Sequence, residues 1–323
     1  MCFKGNPSLL FLFFCFCFGT IQVSAQENTL SWIKQHAYPL QLTASADYTD
    51  LRFLSEVLAK KTVVALGEAS HGTEEFYTQK SRLVKYLVTE QNFLRLAMEA
   101  DAGFIEPINQ YILTGAGAGK DAFKAYGLYN SEALSSLVEW LRVYNQSQVL
   151  ERKVQLLGVD KQDYWSDPLG RDSLMANDLL TAYAQDNAKT ILWGHNLHLA
   201  KDITMSGYEA MGYHLAQQLG DSYYVVLLDT DQGNTGAIVS NSLAAFAFES
   251  RENTLAALLS KVSMDAFFVE LGNPSSPFYE QTTLITTIYS NWQNGPVDLP
   301  AVAGRDYDAV LFIRKTSAAK PIE

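Results

Sequence analysis

Apolar residues recur along this chain in short, nearly unbroken runs, separated by longer stretches of helical periodicity. The runs cover residues 61–67, 93–98, 154–159, 190–194, 223–228, 266–271 and 309–313. They are continuous rather than alternating, which predicts strands covered on both faces, as in a parallel sheet. Glu74 to Glu90 carries Phe76, Leu83, Val84, Leu87 and Val88 at helical spacing. Ser131 to Asn145 opens on a Ser cap and carries Leu134, Leu137, Val138 and Leu141. Residues 170–186 and 207–219 show the same pattern, and 28–40 and 51–60 read as shorter lead-in helices. Strand and helix alternate, which predicts an α/β fold: a three-layer α/β/α sandwich with a mainly parallel sheet and additional helices. Residues 230–300 are broken by Gly233, Pro274, Pro277, Gly295 and Pro296 and read as a lid or an edge.

The residues on which these runs end carry the chemistry. Four early runs hand over directly to Glu99, Asp160, His195 and Asp229, and the first passes through Gly67 to Glu68 and then His71. A parallel sheet sets such residues along one edge, where open α/β sheets bind ligands. Asp160 and Asp229 fit helix N-caps, because a carboxylate there accepts free backbone N–H groups. His71 lies between Gly67 and Gly72, which permit a sharp turn close to a ligand, and an imidazole is the natural general base near neutral pH. Glu68 and Glu99 are expected at the ends of neighbouring strands, where they orient that imidazole. His195-Asn196-Leu197-His198 places two histidines three apart, able to share a face; His198 fits a site role or a structural one. Lys80 falls in the apolar stripe of its helix near the strand-end edge, where a cation steadies a developing oxyanion, and Arg82 is expected to be solvated. His36 and His214 read as structural. Glu270 is a charge inside an apolar run, on an edge strand or paired in the interior.

Composition narrows the function classes. The 323 residues carry a formal net charge of -11, which argues against a nucleic-acid surface and favours neutral or cationic small molecules. Lys4, an apolar block over residues 9–18 and Val23-Ser24-Ala25 fit an export signal over residues 1–25, cleaved near Ala25 to release a periplasmic or secreted domain of residues 26–323. All three cysteines (Cys2, Cys15, Cys17) lie in that segment, so the mature domain has no thiol chemistry, and it is not expected to embed in a membrane. There is no Gly-x-Ser-x-Gly elbow, dinucleotide fingerprint or Walker motif.

The block Gly67-Glu68-Ala69-Ser70-His71-Gly72, followed by Glu75-Phe76, the run ending at Glu99, and Trp193-Gly194-His195-Asn196-x-His198, resembles the erythromycin esterase family. Glu139-Trp140-Leu141-Arg142, Gly158-Val159-Asp160, Met211-Gly212 and Tyr307-Asp308-Ala309-Val310 are similar to it in the same order. The resemblance implies a three-layer α/β core and metal-independent hydrolysis of a macrolide lactone, without a cofactor. It implies a histidine base at His71, supporting acids at Glu68 and Glu99, a second histidine at His195 with His198 close by, and a basic side chain at Lys80. Asp160 and Asn196 fall in matching stretches as candidates beside the substrate. The segments between Glu99 and Ser131 and from Asp231 to Pro300, expected to shape the cleft, differ from the macrolide-cleaving members. Three readings stand: an ester or lactone hydrolase acting on a small molecule through a histidine base, a metal-dependent hydrolase or peptidase on the same site, and a non-catalytic envelope binding protein.

Overall fold

The computed structural model describes residues 27–240 and 242–323. The expected export signal, its cleavage point and the three cysteines lie outside the described residues. Residues 27–36 form helix α1, shorter than the expected 28–40 because the chain then extends into strand β1 (Tyr38–Pro39). The elements that follow are α2 (Leu54–Val57), β2 (Val63–Leu66), α3 (Glu74–Gln91), β3 (Arg95–Asp101), α4 (Ala102–Thr114), α5 (Glu132–Gln146), β4 (Gln155–Asp160) and α6 (Arg171–Asp186). After these come β5 (Thr190–Trp193), α7 (Asn196–Leu199), α8 (Ile203–Ser206), α9 (Met211–Leu219), β6 (Tyr223–Val239), β7 (Ser242–Glu249) and α10 (Leu255–Leu259). The chain closes with β8 (Ala266–Val269), β9 (Thr282–Thr287), β10 (Val297–Val302) and β11 (Ala309–Thr316).

The main sheet runs β1-β8-β11-β6-β2-β5-β3-β4, with β7 paired to β6; β9 and β10 form a separate antiparallel pair. Neighbours from β11 to β4 are all parallel, while β8, β1 and β7 join antiparallel. Both faces are covered. Val64 and Leu66 of β2 join a core with Phe76, Leu83 and Leu87 of α3, Ile105 and Ile108 of α4 and Leu137 of α5. Val63 and Ala65 point the other way, into a core with Met175 and Leu179 of α6, Met211 and Leu215 of α9 and Leu259 of α10. Period-two alternation thus sends successive apolar side chains to opposite layers, which explains why the strands read as unbroken apolar runs.

Several expectations change. β5 lies between β2 and β3, so the strands leading to Glu68 and Glu99 are not neighbours. β6 does not stop at Asp229 but continues to Val239 and turns back as β7; Asp229 pairs in register with Phe312 and is buried mid-strand, not at a helix cap. Arg82 is buried rather than solvated: its guanidinium meets Asp50 at 2.7 Å and the Gln41 carbonyl at 2.7 Å, tying α3 to the lead-in segment. Helix α4 carries Pro107 and had no reading in the sequence. Glu270 follows β8 and accepts a hydrogen bond from the Tyr224 hydroxyl at 2.9 Å. His36 is exposed and stacks on Trp32. No helix among the described residues is long and apolar enough to cross a membrane.

Candidate active site

The carboxyl ends of the parallel strands open into one cleft of about 420 Å³, lined by His71, Glu99, Asp160, His195 and His198. The loop after β2 turns at Gly67, where a Cβ would come within 2.0 Å of Asn196 Oδ1, so only glycine lets the β5 loop approach this closely. At Gly72 the backbone has φ +82, and a Cβ would meet the Gly236 carbonyl at 2.8 Å. These two glycines fix where His71 is held.

His71 Nδ1 lies 2.6 Å from Glu68 Oε1, and Lys80 Nζ donates to Glu68 Oε2 at 2.9 Å. Glu68 and Lys80 are both fully buried. Burial works against the Glu68 charge, but Lys80 and the His71 hydrogen bond outweigh it and hold the carboxyl below its ordinary value. Burial also drives Lys80 down, to about 8, leaving it mostly protonated at pH 7. An ionised carboxylate accepts only, so Nδ1 of His71 is the nitrogen that bears a proton, and in the neutral ring Nε2 is the one with the lone pair.

His195 opens α7, and its Nδ1 accepts the Leu197 N–H at 3.4 Å. That bond assigns the ring proton to Nε2, which is buried and has no partner. Burial, and then the repulsion that a proton on His71 adds, lowers the His195 pKa to about 3, so this imidazole is neutral. The rings of His71 and His195 lie 5.2 Å apart, centre to centre.

Glu99 accepts the His195 backbone N–H through Oε2 at 2.9 Å, with room provided by Gly194, whose Cβ would stand 3.0 Å from the same oxygen. Its Oε1 lies 3.4 Å from both His198 Nε2 and the Arg171 guanidinium. Burial opposes the Glu99 charge, but His198, His71, Arg171 and the His195 N–H bring its pKa to about 2. His198 is held through Nδ1 by Asp172 at 2.8 Å; burial lowers its pKa, but Glu99 and Asp172 outweigh that and raise it. Among the described residues, no three His, Cys, Asp or Glu side chains gather in a way that could hold a metal ion.

The structure therefore brings His71, Glu99, His195, His198 and Asp160 to one cleft and sets Glu68 directly behind His71. Lys80 does not face the cleft: it lies beneath Glu68 and over the Trp193 ring at 4.2 Å, so the expected contact with an oxyanion is replaced by a contact with a carboxylate. Asn196 also lies below the floor, where its amide donates to the Leu228 carbonyl at 3.0 Å and its N–H to the Glu68 carbonyl at 3.0 Å. Asp160 ends β4 and caps no helix; it binds Arg171 through two donors, at 3.1 and 2.9 Å. Arg171, Tyr126, Tyr129 and Trp165 also line the cleft, with Leu128, Ile238, Tyr289 and Ser290 among the rest, and had no signal in the sequence beyond the helix that Arg171 begins.

A sequence model of the erythromycin esterase family matches residues 88–168 and 161–316. The chain belongs to that family. Members of the erythromycin esterase family with which it aligns include erythromycin esterase type II from Escherichia coli, 30% identical over 131 residues, which cover 40% of this chain and 30% of that protein. A putative hydrolase from Bacillus subtilis, YbfO, is 32% identical over 142 residues, covering 42% of this chain and 31% of its own. Each alignment thus spans about a third of the relative's length. Among solved structures, a protein from Bacillus cereus superposes with TM-score 0.82 at 20% identity, covering 92% of this chain and 99% of that one. An erythromycin esterase mutant, EreC, in its open conformation superposes with TM-score 0.69 at 14% identity, covering 89% and 99%. At these identities the superpositions establish the α/β fold.

Proposed function

We propose that this chain is a metal-independent hydrolase of a carboxylic ester or lactone in a small molecule, with His71 activating water. The observation that carries the reading is two imidazole rings 5.2 Å apart that line one cleft: His71, held at Nδ1 by Glu68, and His195, whose buried Nε2 has no partner. A water molecule at His71 Nε2 gives its proton to the ring as its oxygen attacks the acyl carbon. Glu68 stays ionised against the Nδ1–H and stabilises the imidazolium that forms. The carbonyl oxygen becomes an alkoxide, and His195 Nε2–H donates to it. Because that ring is neutral, the donor is present across the working pH range. Collapse expels the alcohol oxygen, which takes the proton back from His71.

Water rather than serine is the nucleophile in this scheme. Among the described residues no serine hydroxyl is hydrogen-bonded to either imidazole. The carboxylate oxygens of Glu68 and Glu99 are already engaged by proton donors, which supports activation by imidazole rather than by an ion. The relatives named erythromycin esterases support a lactone or ester as the bond cleaved. At about 420 Å³ the cleft is toward the small end of ligand pockets, which span ~300–1,000 Å³, and this favours a compact substrate.

The test is hydrolysis of a panel of esters, lactones and macrolides, with chelator present and with mass spectrometry reading the addition of water. Wild type should cleave a member of the panel. His71→Ala should lose ~10²–10⁴-fold in rate at an unchanged melting temperature. A folded His71→Ala variant of full activity removes the base, and activity lost to chelator and restored by a divalent ion replaces this reading with the metal-dependent one.

A further inference from the structure

Beside the catalytic cleft lies a second recess, and the two share a wall made by Tyr126, Asp160 and Trp165. Asp101, Phe104 and Gln162 complete the recess. Trp165 is 54% exposed, and an indole so exposed is ordinarily free to turn. This one is held. The Arg171 guanidinium stacks 4.2 Å from its ring centre, and its Nε1–H donates to Asp160 Oδ2 at 3.3 Å. Phe104 stacks on Tyr126 at 3.9 Å. Ring contacts continue from Tyr126 to Tyr129 at 5.8 Å and from Tyr129 to His71 at 5.6 Å. A line of aromatic rings therefore joins the recess to the imidazole.

The charges are unequal. Asp160 is neutralised by Arg171 at 2.9 Å. Asp101 is not: its Oδ1 caps α4 by accepting the Phe104 N–H at 3.0 Å, and among the described residues it makes no ion pair. Tyr126, whose hydroxyl accepts the Asp101 N–H at 2.7 Å, registers the same field: burial, and then the charges of Asp101, Asp160 and Glu99, hold its phenol above the ordinary value.

We propose that this recess binds a protonated amine carried by the substrate, with the ammonium group beside Asp101 and the rings of Tyr126 and Trp165 while the scissile bond lies at His71. Aromatic rings with one unpaired carboxylate favour an organic cation over a neutral group of the same size. A hydroxyl in its place leaves the Asp101 charge unmatched. The chain's net charge of -11 also draws cations toward the surface. The position of the scissile bond rests on the hydrolase reading; binding of the amine does not.

The experiment compares two esters that differ only in ending in an amine or a hydroxyl, on wild type and on Asp101→Asn. Asparagine is as good a helix cap as aspartate, so α4 keeps its N-terminal hydrogen bond while the charge is lost. In wild type the amine ester should have a KM roughly three- to tenfold lower, the factor that one partly exposed cation–π contact and one charge pair supply. That ratio should fall close to one in Asp101→Asn and should shrink in wild type as salt is raised. Equal KM values in wild type, or an unchanged ratio in Asp101→Asn, overturn the subsite. An uncleavable amide carrying the same amine, followed by tryptophan fluorescence, separates the two claims. Asp101-dependent binding with neither ester cleaved keeps the subsite and removes the hydrolase, whereas cleavage of both esters at equal KM does the reverse.

Discussion

Lys80→Met distinguishes a lysine that touches the reacting atoms from one that acts through a carboxylate. Lys80 Nζ lies 2.9 Å from Glu68 Oε2 and 3.4 Å from the Gly194 carbonyl, and its side chain has no exposure. Methionine fills much the same volume without the charge. The substitution leaves Glu68 buried with only the His71 Nδ1–H as a partner. Removing one member of a buried ion pair costs ~3–5 kcal/mol, and the remaining His71 contact puts this case near the lower figure. For a chain of this size 1 kcal/mol moves the melting temperature by about 2–4 °C, so the expected fall is roughly 6–12 °C. Glu68 relieves the strain by taking up a proton, and then no longer supports the imidazolium. Turnover should therefore drop toward the ~10²–10⁴-fold that a general base supplies. The double variant Lys80→Met/Glu68→Gln carries neither charge. Its melting temperature should recover most of the loss while its activity does not. Calorimetry and ester turnover on the same preparations read both quantities. A single variant that melts like wild type but is inactive returns Lys80 to direct contact with the oxyanion. A double variant no more stable than the single refutes the buried-pair argument.

His195→Ala removes the neutral donor; kcat should fall ~10²–10³-fold with KM little changed, and wild-type kcat in that variant eliminates the oxyanion role. Asp229 is fully buried in β6, and burial pushes its pKa up to about 7. A carboxyl with a raised folded-state pKa contributes stability that is complete below about pH 4 and is lost as pH rises through about 7. The change amounts to roughly 4 kcal/mol at most, and Asp229→Asn should abolish it, leaving denaturation midpoints flatter between those pH values. Identical pH slopes for wild type and Asp229→Asn contradict it.

The parts of this molecule that the sequence disclosed are those whose cause is local. Strands buried on both faces must be apolar throughout, so β2, β4, β5 and β11 stand out as runs, and the residues that end them must lie at one edge of a parallel sheet. That reasoning brought His71, Glu99, His195 and His198 to one cleft. What remained hidden depends on partners distant in the chain. The place of β5 between β2 and β3 is a pairing choice that no single run encodes. The strand past Asp229 contains Gln232, Gly233, Asn234 and Gly236, poor β formers individually; β7 and β11 hold it extended. Lys80 and Arg82 occupy the same helix and were assigned opposite surroundings, yet each is a buried cation matched by a carboxylate on another element, Glu68 and Asp50. Helical periodicity reports which face a residue is on, not whether a counter-ion waits there. The consequence for the site is specific. Lys80 keeps Glu68 ionised, Glu68 keeps a proton on His71 Nδ1, and the neutral ring then has its lone pair on Nε2. A basic residue that seemed to belong beside the substrate instead determines, from two side chains away, which nitrogen can act as the base.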